Sequence, residues 1–267
     1  VIDDIELEGL EYIYAPNGVL LSPSDNNNNM VYVVTDEAVE KLRRAREKKP
    51  KRYTELVKSG RVRDLILNTP TSYRNTMITN EGLNLRGFLY MIRVAENKAW
   101  DGANNPTAYD SQYGGGTFGD GQNFDQKYAE HPNDKIESPW GTKDENGNIR
   151  TSTAAGAYMF LYGTWLSAKR GVGVDDFKPE SQDAMAVYLI QRRGVLDDIK
   201  ERAHNSVGFR GVLDNRQLRY EWPSLPNGSQ SYGSMRQARN AFRRGVMFEL
   251  QGNSQLATPQ GELELNH

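Results

Sequence analysis

Cysteine is absent from the 267 residues, so no disulfide framework, thiolate nucleophile or cysteine metal site is available. Histidine is scarce, and His131, His204 and His267 stand too far apart for an HExxH-type pattern. A zinc peptidase or amidase is therefore a poor reading, and no metal or cofactor is expected. No run of 18 apolar residues occurs, which argues against membrane insertion, and the opening VIDDIELEGL is acidic where a secretion signal would be basic and then apolar. The reading is a soluble chain. An excess of one charge is also missing. The 33 Lys and Arg stand against 35 Asp and Glu, a balance that speaks against a general nucleic-acid binder.

What is present is length enough for one large domain, or one domain with an extension. Residues 84–245 hold 21 basic and 19 acidic groups, and this mildly basic middle suits an anionic polymer. Upstream, β-prone groups (Tyr12 to Tyr14 and Val31 to Val34) alternate with turn signals at Pro16-Asn17-Gly18 and at 22–29. This predicts a small hairpin with the run Asn26 to Asn29 as its exposed connection. Thr35 opens a helix, Pro50 ends or kinks it, and residues 53–67 make a second, shorter helical piece. The basic run Lys41 to Arg52, interleaved with Glu37, Glu40 and Glu47, reads as a solvated helix face.

From Asn84 the pattern becomes that of a helical domain. Leu85, Phe88, Leu89, Ile92 and Ala95 recur at helical spacing over 84–96. Residues 97–150 are rich in Gly, Asn and Asp, and so long an irregular stretch is usually functional. Helices are predicted at 153–170 with a stop at Gly171, from Lys178-Pro179-Glu180 onward, and at about 195–204, 208–221 and 234–250. Polar coil follows from Gly252. The organisation read from this is a mixed N-terminal extension (1–83), a helical domain (84–250) and a polar tail (251–267).

Two features carry chemistry. Glu96 stands at a helix end beside Val94 and Ala95, one turn from Ile92. A carboxyl held against apolar neighbours resists ionisation, so its pKa rises and it can donate a proton near neutral pH, as cleavage of a glycosidic bond requires. Taken alone, a Glu at a helix end is ordinarily a solvated surface residue. The second feature is STAAGAYMFLYGTW, Ser152 to Trp165, where a small-residue turn opens into an aromatic-rich helix and lets a polymeric ligand approach the backbone.

In context these segments resemble a known family, the bacteriophage lambda endolysins or lambda-type lysozymes, over about Asn84 to Gly245. The motifs occur in order: FLYMIRVAEN, AYDSQYGGG with Tyr109, Asp110, Gly114 and Gly115, the step His131-Pro132, STAAGAYMF, DFKPESQDAMAVYLIQRRGVL, and EWPSLPNGSQSYG. The chain departs from the family at Met159, where Gln usually stands. Its loops between Asp110 and His131 and between Pro132 and Ser152 are longer, the second with a hairpin tip at Lys143 to Asn148.

The resemblance implies an α+β, mainly helical fold: a lysozyme-like domain with a small β-hairpin region beside the cleft, plus the N-terminal extension. It implies a lytic transglycosylase in which Glu96 first protonates the bond between N-acetylmuramic acid and N-acetylglucosamine and then acts as base, leaving a 1,6-anhydro product. Peptidoglycan glycan strands are the implied partner. Candidate substrate contacts are Tyr109, Asp110, Ser152, Tyr158, Trp222 and Tyr232, the aromatic ones stacking on sugars or serving as core. Asp101 and Asp110 are the nearest second carboxylates, with Asp110 read as holding a turn through its side chain. His131 reads as loop packing, and Gln182 and Asp183 as helix caps first and ligands second. Residues 1–83 are expected to dock the enzyme on a phage tail or other virion protein, with delivery to the periplasm or cell wall. The alternatives are a free endolysin kept in the host cytoplasm until a holin releases it, and a muramidase that cleaves the same strand by hydrolysis. A binding module with a degenerate lysozyme fold is a reading of another class, which the intact Glu96 opposes.

Overall fold

Residues 12–22, 31–58, 73–75, 78–100, 108–139, 141–231, 233–261 and 263 are described by the structure, a computed structural model. The N-terminal sheet forms around Pro16-Asn17-Gly18, where Gly18 takes φ +77° and its N–H bonds to Ala15 O at 3.0 Å. Strands β1 (Tyr12–Tyr14) and β2 (Leu20–Ser22) pair antiparallel across that turn. Strand β3 (Val31–Val34) lies parallel to β1, and β4 (Tyr73–Asn75) completes the order β2-β1-β3-β4. The hairpin thus turns at Pro-Asn-Gly and not at the asparagine run, which lies outside the described residues. A strand on the far side of that run pairs in parallel, and parallel pairing needs a crossover, not a tight turn.

Period-2 alternation gives the sheet two apolar faces. Ile13 and Val34 pack with Ala38 and Leu42 of α1 (Asp36–Lys48), and Tyr53 of α2 (Pro50–Lys58) covers them. Thr35 caps α1 by accepting from Ala38 N, and Pro50 opens α2 after the break at Lys49. The outer face of α1 carries the pairs Glu37–Lys41, Glu40–Arg43, Glu40–Arg44 and Arg43–Glu47, as the charge pattern implied. The expected second helical piece beyond Lys58 falls outside the described residues. Tyr14, Val31 and Val33 face the other way and join the main core, with the Tyr14 hydroxyl donating to Asn80 Oδ1 at 2.8 Å.

That core is built on α3 (Asn80–Glu96), started by a Thr79 cap on Gly82 N, four residues earlier than the apolar spacing indicated. Around it lie α4 (Phe124–Lys127), the two-stranded pair β5 (Ile136–Glu137) and β6 (Thr151–Ser152), α5 (Tyr162–Val172), α6 (Pro179–Arg192), α7 (Leu196–Arg202), α8 (Ser206–Asp214), α9 (Arg216–Glu221) and α10 (Met235–Leu250). The result is α+β and mainly helical. Helix α10 can lie close along α3 because Gly87 and Gly245 face each other: a Cβ on Gly245 would sit 3.0 Å from Gly87 Cα.

Three boundaries differ from expectation. The helix predicted from 153 begins only at Tyr162, since Ala155 and Phe160 exchange hydrogen bonds of 3.0 and 2.8 Å across a tight turn with Gly156 at φ +80° and Met159 at φ +48°. It stops at Gly173, which takes the left-handed cap, and not at Gly171. The single helix expected at 208–221 is two, because the Asn215 side chain accepts from Gln217 N and Leu218 N and starts a new helix there. The tip at 143–149 is a hairpin turn, with Asp144 Oδ1 accepting from Asn146 N and Asn148 N at 2.9 Å.

Candidate active site

Glu96 is the last residue of α3, and the two residues after it fix where it points. Asn97 caps the helix and its Nδ2 donates to Arg93 O and to Ala157 O, both at 2.9 Å; Lys98 then turns the chain at φ +55°. The end of α3 is thereby tied to the Ala155–Phe160 turn within STAAGAYMF. Glu96 Oε1 is sealed from solvent and finds no hydrogen-bond partner among the described residues. Desolvation pushes the carboxyl up from 4.5 to about 8, and the nearby Glu221 charge adds to the rise. The backbone and side-chain donors of Ser224 and the Lys98 charge, all close to the carboxyl, pull the other way. At neutral pH the group is a protonated acid that can give up its proton and be stabilised by Ser224 once charged.

Glu221 is the other carboxylate that acts on Glu96, and it is committed to Arg193, whose Nε donates to it at 3.0 Å. Asp110 is committed too, to Lys127 Nζ at 3.1 Å, so its carboxylate makes an ion pair and not the expected side-chain turn. Asp101 lies outside the described residues. No group of three His, Asp or Glu that could hold a metal occurs among the described residues, and no described helix is long and apolar enough to cross a membrane.

The segment that Asn97 ties to the end of α3 is held in turn by α6. Gln182 Oε1 accepts from Ala157 N at 2.8 Å while its Nε2 donates to Tyr109 O and Phe177 O, and a Cβ on Gly156 would run into that Oε1. Asp183 accepts from the hydroxyls of Tyr158 (2.6 Å) and Tyr109 (2.9 Å) and from Ala257 N, Thr258 N and Thr258 Oγ1. The capping roles expected of Gln182 and Asp183 are therefore corrected. Both are fully buried and staple separate segments together, while Lys178 caps α6 with Pro179 next to it.

Three sugar-stacking candidates fall in the core instead. Tyr158, Tyr109 and Trp222 are 1%, 6% and 2% exposed, and Trp222 Nε1 donates to Tyr158 O at 3.3 Å, so none has a ring face open to a glycan. Burial and the Asp183 charge hold the two tyrosine hydroxyls protonated. Ser152 is half-buried and its Oγ accepts from Ala154 N, closing the turn. Tyr232 lies outside the described residues. His131 packs among Tyr162, Trp165 and Phe177 with Nε2 2.7 Å from Phe160 O, and burial lowers its pKa, in keeping with a packing role.

What the structure adds is Ser224, which lay unremarked within the EWPSLPNG motif, and the exposed aromatic Tyr220 of α9 just ahead of it. Gly233 presses on Trp100 with no room for a Cβ, joining the end of that motif to the turn after Glu96.

A mainly helical α+β domain whose central helix ends in a carboxyl pushed up by desolvation has the fold class and the acid that a glycan-cleaving enzyme of the lysozyme class needs. The endolysin family model matches residues 86–253, and the chain belongs to the endolysin family: it is a phage-type, peptidoglycan-degrading enzyme that cleaves glycosidic bonds. It is 31% identical over 153 residues to the endolysin of Escherichia phage P2, covering 56% of this chain and 83% of that protein. With the endolysin of Escherichia phage lambda it shares 31% over 118 residues, 44% of this chain and 61% of that one. Among solved structures, lysozyme from bacteriophage lambda matches at 25% identity and a TM-score of 0.45, over 67% of this chain and 99% of the other; the same lysozyme complexed with a chitohexasaccharide gives 0.44 at 25%.

Proposed function

We propose that the chain is a lytic transglycosylase acting on the bond between N-acetylmuramic acid and N-acetylglucosamine. The observation that carries this reading is the Glu96 carboxyl, with one oxygen closed to solvent, raised to about 8 by desolvation, and with Ser224 beside it. The neutral acid gives its proton to the glycosidic oxygen as the bond from C1 to that oxygen breaks. The carboxylate left behind, poorly solvated and hence strongly basic, removes the proton of the muramic 6-hydroxyl as that oxygen closes on C1. The products are a free 4-hydroxyl on the departing sugar and a 1,6-anhydro ring, with Glu96 protonated again. Supporting this over hydrolysis, Glu221 is tied up by Arg193 and not free to hold an attacking water.

Purified sacculi digested with wild type and with Glu96→Gln, followed by mass analysis of the muropeptides, test the proposal. Anhydro products that vanish in the variant are the expected result. Hydrated reducing ends mean a hydrolase, and no products from wild type mean a binding module.

The N-terminal 83 residues are proposed to dock the enzyme on a phage tail or another virion protein, for delivery to the periplasm or cell wall. In support, the family match begins only at Arg86, so this segment adds to what the relatives share. Presence of the chain in purified virions is the expected result; its absence there favours a free endolysin released through a holin.

A further inference from the structure

Two arginines of α3 are buried against the C-terminal chain. Arg86 and Arg93 stand two turns apart, so their side chains leave the same side of the helix, and they are 0% and 2% exposed. What meets them is the strap Ser254 to Pro259. Arg86 donates to Ser254 Oγ and Thr258 O at 2.8 Å and to Pro259 O at 3.1 Å, and pairs with Glu249 at 2.9 Å. Arg93 Nη1 donates to Gln255 O and to the Tyr109 hydroxyl at 3.3 Å, with its guanidinium 4.6 Å from the Tyr109 ring centre. The same strap gives Asp183 its three remaining donors. The expected polar tail is coil, but its backbone is the acceptor for the charges of α3. The family match ends at 253, one residue before it.

The two arginines are not equally provided for. Arg86 has a carboxylate partner; Arg93 has none, and its Nε and Nη2 find no hydrogen-bond partner among the described residues. A buried guanidinium left half satisfied costs stability, so a well-packed apolar side chain would serve the core better. Yet this residue sits three positions before Glu96, and its carbonyl receives both the N–H and the Nδ2 of Asn97. Arg93 and Asn97, one turn apart on the same face, tie the last turn of α3 to the strap and to the Ala157 turn, and Glu96 lies in that turn.

We propose that Arg93, clasped by the strap Ser254 to Pro259, is a positioning residue that holds the last turn of α3 so that the Glu96 carboxyl stays out of water. The inference rests on Glu96 as the acid of the proposed reaction. Released, that turn frays as helix ends do, water reaches Glu96, and Glu221, Lys98 and Ser224 act on it from altered distances.

Arg93→Met in the full chain tests this, read by melting temperature, by kcat and KM on sacculi, and by titration of the Glu96 carboxyl carbon. The expected result is a melting temperature at or above wild type, kcat lower by roughly tenfold with KM little changed, and a Glu96 midpoint moved down toward the ordinary carboxylate range. Arg93→Lys, which keeps one donor for Gln255 O, should restore part of the loss. Wild-type kcat and an unmoved Glu96 midpoint in Arg93→Met overturn the proposal, as does a loss of turnover that only follows a fallen melting temperature. The titration stands whether or not glycan is cleaved, so failure of the clasp and failure of the transglycosylase reading are separable.

Discussion

Asn97 Nδ2 donates to the carbonyl of Ala157 at 2.9 Å, and this bond joins the end of the acid-bearing helix to the turn across from it. Replacing Asn97 by Ala removes it along with the second bond to Arg93 O. We predict a stability loss of about 1 kcal/mol per bond and a larger effect on turnover, roughly tenfold or more, because small misplacements of a catalytic group are costly. Thermal melts and initial rates on sacculi check both numbers.

The raised carboxyl has a stability consequence. With Glu96 at 4.5 unfolded and about 8 folded, the folded state holds the extra proton between those values, so its contribution is complete below pH 4.5 and is lost as pH rises through 8. Glu96→Gln removes this dependence. The variant should be more stable than wild type at pH 7 to 8, by on the order of 1 to 3 kcal/mol, and indistinguishable from it near pH 4. Urea melts at the two pH values give the answer.

Gly156 is required twice over: it takes φ +80°, and a Cβ there would run into Gln182 Oε1. Gly156→Ala should cost about 2 kcal/mol or more and weaken the grip of Gln182 on Ala157 N. Met159, at φ +48° in the same turn, is the opposite case, and Met159→Gly should gain about 1 kcal/mol. Melting temperatures of the two variants should move in opposite directions.

Tyr158 and Trp222 separate two accounts of the same residues. As sugar platforms they would govern KM; as buried partners of Asp183 and of the Tyr158 carbonyl they govern stability. Tyr158→Phe leaves Asp183 one donor short and should cost about 1 to 3 kcal/mol with KM unchanged. A raised KM with an unmoved melting temperature would return Tyr158 to the glycan-facing side.

Much of this was legible in the sequence, and the boundary is physical. The apolar spacing of Leu85 to Ala95 and the caps at Thr35 and Pro179 are local signals, and they indicated the right helices. Glu96 drew attention through its apolar neighbours Val94 and Ala95, but its assignment as the acid came from the family resemblance of FLYMIRVAEN. Gln182 and Asp183 were misread because a polar pair at a helix start is ordinarily a cap; their partners Ala157, Tyr109 and Thr258 are distant in the chain, and nothing local marks them. The strap was read rightly as polar coil, but nothing local marks that the carbonyls of that coil are what Arg86 and Arg93 bond to. Aromatic residues in STAAGAYMF and EWPSLPNG could equally be platform or core, and burial alone decided for core.

The proposed chemistry depends most on one group, and the carboxyl carbon of Glu96 reports on it directly. Labelled wild-type enzyme, titrated by carbon NMR from pH 3 to 10, should show that resonance moving with a midpoint near 8, beside ordinary glutamates near 4.5. A midpoint in the ordinary carboxylate range would mean that Glu96 is ionised at neutral pH and cannot be the proton donor of the reaction.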